Sequence, residues 1–171
     1  MDALRLRAAV AKLPDDISVS MAAHHLLGRA VQAEAMMDSV IAARLGRSIA
    51  EVLVLHGKVI SQMSINAKLS LLQEIMEGEG WGDDFPFVVP VLRALFALRN
   101  KLAHSLPFGF AETPLAQPAA RFWSARRGNV KIEEITVSTI VGMVHSAQHV
   151  IGVDMNFLHV RALPDSYWTE M

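Results

Sequence analysis

The sequence predicts an all-α fold, an antiparallel bundle of four to five helices that carries a small β-hairpin insert. Three observations predict it. Apolar residues recur at helical spacing along one segment after another. Serine caps, glycines and prolines fall between those segments, where helices must begin and end. Strand-like alternation around a turn sequence occurs in a single short stretch, Phe122–Ile132.

Length and composition bound the class. With 171 residues, 52% of them hydrophobic and 19% charged, the chain fits one domain with a sizeable core, and general disorder is excluded. Charged or polar residues interrupt every apolar run short of the roughly 20 residues that cross a bilayer, so no membrane association is expected. Met1–Arg7 has an early acid and no sustained apolar segment, unlike a secretory signal. Cysteine is absent, which removes disulfides, thiolate chemistry and cysteine-ligated zinc and fits a cytoplasmic protein. The formal charge of −1 supplies no global attraction for nucleic acid, so phosphate binding would need a local basic cluster. Nine methionines suit flexible core filling, and a shared oligomer surface would use the same property.

Three regions are expected: an N-terminal arm over 1–20, the bundle over 21–160, and a tail over 161–171 anchored by Tyr167 and Trp168. Pro14-Asp15-Asp16 breaks the arm, and Ser18 or Ser20 caps a first helix over 21–45, which Gly46 ends. Its stripe is Leu27, Val31, Ile41 and Leu45, and two acids, Glu34 and Asp38, fall on that stripe. An unpaired carboxylate on a core face costs several kcal/mol, roughly, so each needs a cation or an edge open to water. Ser48 and Glu51 form a capping box for a short helix that Gly57 closes. A third helix, from about Lys58 to Glu77, carries apolar residues on two opposite faces, Ile60/Ala67/Leu71/Ile75 and Ile65/Leu69/Leu72/Met76, and burial on both sides is expected. Gly78–Pro86 is a loop, and a fourth helix runs from near Phe87 to Ala103 or His104. Residues 105–120 read as an irregular connection. Phe122–Ala125 and Val130–Ile132 flank Arg126-Arg127-Gly128-Asn129 as a hairpin. Thr136 caps a last long helix with the stripe Ile140, Val144, Ala147, Ile151 and Leu158.

The chemically loaded segment is Arg99-Asn100-Lys101-Leu102-Ala103-His104. At about 100° per residue, Val88, Leu92, Leu95, Leu102 and Leu106 share one helix face with Arg99 at its centre. A guanidinium amid leucines must be paired or must face a cleft, and Glu34 and Asp38 are its natural partners. Arg93, Asn100 and His104 lie on another face. His104 falls in the last turn, where the helix dipole favours imidazolium. An ideal helix separates Arg99 from His104 by about 140°, so they converge only through helix distortion or across subunits.

Leu98–His104, an arginine followed by a polar residue with a histidine five positions on, resembles the signature of HEPN domains. Met63–Leu72 resembles the helix preceding that motif in several HEPN groups, including the mannitol operon repressor type. The resemblance covers residues 20–160 in helix order and is specific from Met63 to His104. It implies a homodimer whose Arg/His pairs face each other across a cleft, acting as a metal-independent endoribonuclease in a toxin or stress-defence setting. A 2′-hydroxyl attacks the adjacent phosphate, a histidine moves the proton, and an arginine neutralises charge on phosphorus. By that resemblance Arg99 is the phosphate clamp, His104 the general acid/base and Asn100 the orienting residue. Arg93, Lys101, Arg126 and Arg127 are the candidate RNA contacts, although a solvated turn is the default reading of the basic hairpin and an RNA-backbone contact the alternative; a cognate antitoxin or regulatory protein would be a partner. Leu106 stands where some toxin-type members carry a modifiable tyrosine, which points away from the nucleotidyltransferase-partnered branch.

The competing reading makes Arg99, Asn100 and His104 a polar network tying helices together, in a catalytically silent regulatory module of the repressor type. A nucleotide-binding sensor using the same cleft is a third. His145 and His149, one turn apart, could share a metal but have no acid at helical spacing to complete a set. No cofactor or metal is expected, and no phosphate-cradling glycine loop, nucleophile elbow or metal-hydrolase motif occurs.

Overall fold

The computed structural model describes residues 18–105, 119–126, 129–165 and 167; the side chains of 104–105 and 119–132 fall outside that description. The fold is all-α with one hairpin. Helix α1 spans Val19–Leu45, α2 Ile49–Lys58, α3 Ile65–Gly78 and α4 Val88–Ser105. Strands β1 (Ala119–Arg126) and β2 (Asn129–Thr136) follow, then α5 (Val137–His149), a π-helical turn (Val150–Asp154) and α6 (Met155–Ala162). The chain divides into two compact units, Met1–Ala30 with Ala94–Gln148, and Val31–Arg93 with His149–Met171. The 1–17 arm and most of the tail lie outside the described residues.

Local chemistry accounts for the boundaries. Ser18 Oγ accepts the Met21 N–H at 3.2 Å and starts α1. Ser48 Oγ accepts from Glu51 N–H (3.3 Å), and Glu51 Oε2 accepts from Arg47 N–H (2.8 Å), one residue earlier than a standard capping box. The expected third helix begins at Ile65 rather than Lys58. Ile60–Gln62 forms a 3-10 turn, and Ser64 is the cap, its Oγ accepting from Ala67 N–H at 3.3 Å. The end of α3 is a Schellman motif: Trp81 N–H donates to Met76 O (2.8 Å) and Gly80 N–H to Glu77 O (3.3 Å), with Gly80 at φ +69°. Thr136 Oγ1 accepts from Thr139 N–H at 3.2 Å and opens α5, as predicted. The hairpin is longer than expected, with Ala119 paired to Thr136 and Arg126 to Asn129.

Two burial patterns depart from the sequence reading. On α1, Val31 is 68% and Leu45 46% exposed, while Ala22, Ala23, Leu26, Ala30, Ala33, Met37 and Ile41 are buried. The buried stripe is built largely of alanines, which a search for large apolar side chains passes over. On α3 only one face is buried, through Lys68, Leu69, Leu72, Ile75 and Met76. Ala67 is exposed and Leu71 half-exposed, so the helix is not covered on both sides.

In the first unit the buried residues come from the start of α1 (Val19, Ala22, Leu26), from α4 (Leu95, Phe96, Leu98, Leu102) and from α5 (Ile140, Val144, Ala147). In the second they come from the rest of α1 (Ala33, Met37, Ile41), from Ile60 and α3, and from Trp81, Val88, Leu92, Met155 and Leu158. Burying such side chains stabilises each unit by about 1.5–3 kcal/mol per large residue. Among the described residues no helix is long and apolar enough to cross a membrane.

Candidate functional site

Helix α4 carries the motif. Its frame is apolar: Leu95 and Leu102, one turn on either side of Arg99, are fully buried. Arg99 itself is half-buried and Asn100 exposed. Arg99 Nη1 donates to Asn100 Oδ1 at 3.0 Å, so the guanidinium reaches along the helix toward its polar edge rather than into the leucine frame. Among the described residues no carboxylate forms an ion pair with Arg99. The backbone of His104 lies within α4, but its side chain falls outside the described residues, as does that of Arg126; Arg127 lies outside entirely.

The acids assigned to Arg99 are held elsewhere. Lys68, from the first turn of α3, is completely buried. Its Nζ lies 2.8 Å from Glu34 Oε1, 2.8 Å from Asp38 Oδ1 and 3.0 Å from Asp38 Oδ2. Glu34 and Asp38 stand one turn apart on α1, so one ammonium can bridge both. Asp38 is 6% exposed, whereas the Glu34 side chain keeps 35% of its surface. The two acids pair with Lys68, not with Arg99 as the sequence reading expected. The Lys68 ammonium is held above the ordinary lysine range: burial pushes its pKa down, and the two carboxylates more than reverse that. An amine so fully protonated and enclosed is no nucleophile. The signal for this lysine was available, since two acids on a core stripe demand a cation and Lys68 shares a face with Leu72 and Ile75.

The other expected RNA contacts are already engaged. Lys101 Nζ lies 3.1 Å from Glu133 Oε2 of β2, both ends partly open to solvent. Arg93, in the second unit, donates from Nη2 to Gln73 Oε1 (2.7 Å), and Gln73 Nε2 donates to Glu77 Oε1 (2.6 Å). These three side chains border a shallow cavity of about 430 Å³ walled by Met76, Phe85 and Val89. Arg93 is thereby tied to α3.

His145 Nε2 is buried and has no hydrogen-bond partner among the described residues. His149 faces Asp154 across the π turn, and burial raises the Asp154 pKa while the nearby His149 opposes the rise. Among the described residues no group of three or more His, Asp or Glu could hold a metal. Asn156 Nδ2 donates to Ile151 O and Gly152 O, both at 3.1 Å, satisfying carbonyls of the π turn.

Compared with known proteins, the chain matches no family model, no curated protein and no solved structure.

Proposed function

We propose that the protein is a metal-independent endoribonuclease of HEPN type, acting as a homodimer in a toxin or stress-defence role. The observation that carries the reading is the state of Arg99. Arg99 rises from a leucine frame but turns its guanidinium to the polar edge of α4, and the two acids on the α1 stripe are bound to Lys68. Arg99 is half-open, with a neutral amide as its hydrogen-bond partner, and so retains a full positive charge for a phosphate. Asn100 accepts from Arg99, which suits the orienting role that the resemblance gives it. His104, one turn and one residue further along α4, would move the proton between the 2′-hydroxyl and the leaving oxygen.

The test is end-group analysis of a mixed RNA incubated with the protein in EDTA. Products ending in 2′,3′-cyclic phosphate, formed by wild type and lost in both Arg99→Ala and His104→Ala, support the assignment. Absence of cleavage by wild type, or cleavage unchanged in the variants, refutes it.

One observation favours a second reading. Lys101 is paired with Glu133, and the net charge of −1 supplies no overall attraction for RNA. A catalytically silent regulatory module of the mannitol operon repressor type needs no such attraction. It predicts intact RNA in the same assay.

A further inference from the structure

Helix α2 is apolar yet leaves none of its residues buried, a combination that exposed helices avoid. Its residues sort cleanly by angle. At about 100° per residue, the half-buried Val52, Leu55 and His56 fall on one side, and Ala50, Leu53, Val54 and Gly57 fall within a sector of about 100° on the other. That outer face holds no charge. Leu53 is 68% and Val54 53% exposed, with Ile49 at its margin and 37% exposed. Leu45, at the end of α1 and 46% exposed, borders a shallow depression together with Ala50 and Val54. The contiguous apolar surface is on the order of 400 Å², the size of the largest patch on a typical monomer, a patch that often serves a function.

The pattern identifies its own complement. Small residues stand at both ends of the stripe and large ones in the middle. Turning a second α2 antiparallel about a two-fold axis between Leu53 and Val54 sets Ala50 opposite Gly57 and Leu53 opposite Val54. The small pairs let the backbones close while the large ones fill the centre. The charges obey the same axis. Glu51 and Lys58 are both exposed and lie on the same flank, seven residues apart. That two-fold keeps each flank against its own copy and reverses direction, so Glu51 of one chain comes level with Lys58 of the other to within about 3 Å along the axis, twice per pair. Glu51 uses Oε2 for the Arg47 N–H, so Oε1 is the oxygen it offers.

We infer that the outer face of α2, centred on Leu53 and Val54 and flanked by Glu51 and Lys58, is an isologous docking surface for a second copy of this chain. The inference is independent of whether the α4 motif cleaves RNA. With about 400 Å² per copy, the contact sits below the standard interface size and makes a reversible dimer with a Kd on the order of 10 μM.

Sedimentation velocity on the full chain, over concentrations bracketing roughly 10 μM, tests it. Wild type should pass from monomer to dimer across that range, and Leu53→Glu should weaken association at least tenfold, roughly, with an unchanged circular dichroism spectrum. The charge test is sharper. Glu51→Lys alone and Lys58→Glu alone should each associate more weakly than wild type, and an equimolar mixture of the two should recover a heterodimer, because mixing restores both cross-pairs. Should Glu51→Lys disturb the helix cap, Leu53→Glu and Lys58→Glu still decide the matter, since both side chains are exposed. Wild type that stays monomeric throughout overturns the inference, as does a dimer indifferent to both Leu53→Glu and Lys58→Glu.

Discussion

Replacing Lys68 with methionine keeps the length and most of the volume of the side chain while deleting its charge, and it should be among the most damaging single changes to the fold. Asp38 would be left 6% exposed with no cation against either carboxylate oxygen, and Glu34 would lose its ion pair while keeping access to water. Removing one member of a buried ion pair costs about 3–5 kcal/mol, most of it the penalty on the stranded charge. Glu34 adds little, because a side chain 35% exposed can resolvate. Urea unfolding followed by fluorescence reports on the right unit, since Trp81 is buried there at 8% exposure. With a slope of about 2 kcal/mol/M, the midpoint should fall by roughly 1.5–2.5 M. Combining Lys68→Met with Asp38→Leu and Glu34→Gln should restore most of the loss, because no buried charge then remains without a partner. A loss under about 1 kcal/mol for Lys68→Met alone, or a triple variant no better than the single, would refute the reasoning.

The same lysine sets an alkaline limit. Its folded pKa lies above the ordinary 10.5, so its contribution is complete below about 10.5 and disappears as pH rises through the folded value. Thermal melts between pH 8 and 12 should therefore show an alkaline fall that Lys68→Met lacks. Asp154 carries the same sign in the acid range: burial raises its pKa, so the folded state holds its proton more tightly, stability falls as pH rises through the carboxyl range, and ionisation costs stability at neutral pH. Asp154→Asn should be stabilising by less than about 1 kcal/mol at pH 7, and that gain should vanish in melts run below the ordinary carboxyl range. Gly46→Ala places a Cβ 2.5 Å from Val52 Cγ2 and 2.9 Å from Val52 N, and the second clash is with backbone. The expected loss is about 1–3 kcal/mol in urea, with Val52→Ala relieving only part of it. Ser64→Ala removes the α3 cap and should lower stability by about 1 kcal/mol, whereas Ser64→Asp should retain most of it.

The fold class was legible because it rests on local rules. Ser18, Ser48 and Thr136 cap helices in the structure as their positions predict, and the residues around Arg126–Asn129 form the hairpin. The errors arose where burial depends on the neighbour rather than on the segment. Alanine is weakly hydrophobic by itself, so the stripe of Ala22, Ala30 and Ala33 becomes a core face only once another element approaches closely. Ser64 went unread because Ile60 and Ile65 made one continuous apolar pattern, which concealed a 3-10 turn between two helices. The ion triad shows the same boundary. Periodicity revealed that Glu34 and Asp38 required a cation, but the choice between Lys68 and Arg99 depends on tertiary placement. That outcome bears directly on the motif, because among the described residues no carboxylate pairs with Arg99.

The central claim is that Arg99 serves an external phosphate and does not hold the core together, and the most direct test measures stability and RNA cleavage on a single preparation of Arg99→Ala. The account predicts an unfolding free energy within about 0.5 kcal/mol of wild type, together with a loss of cleavage of roughly 10²–10³. A collapse in stability comparable with that of Lys68→Met, or cleavage equal to wild type in the folded variant, would contradict it.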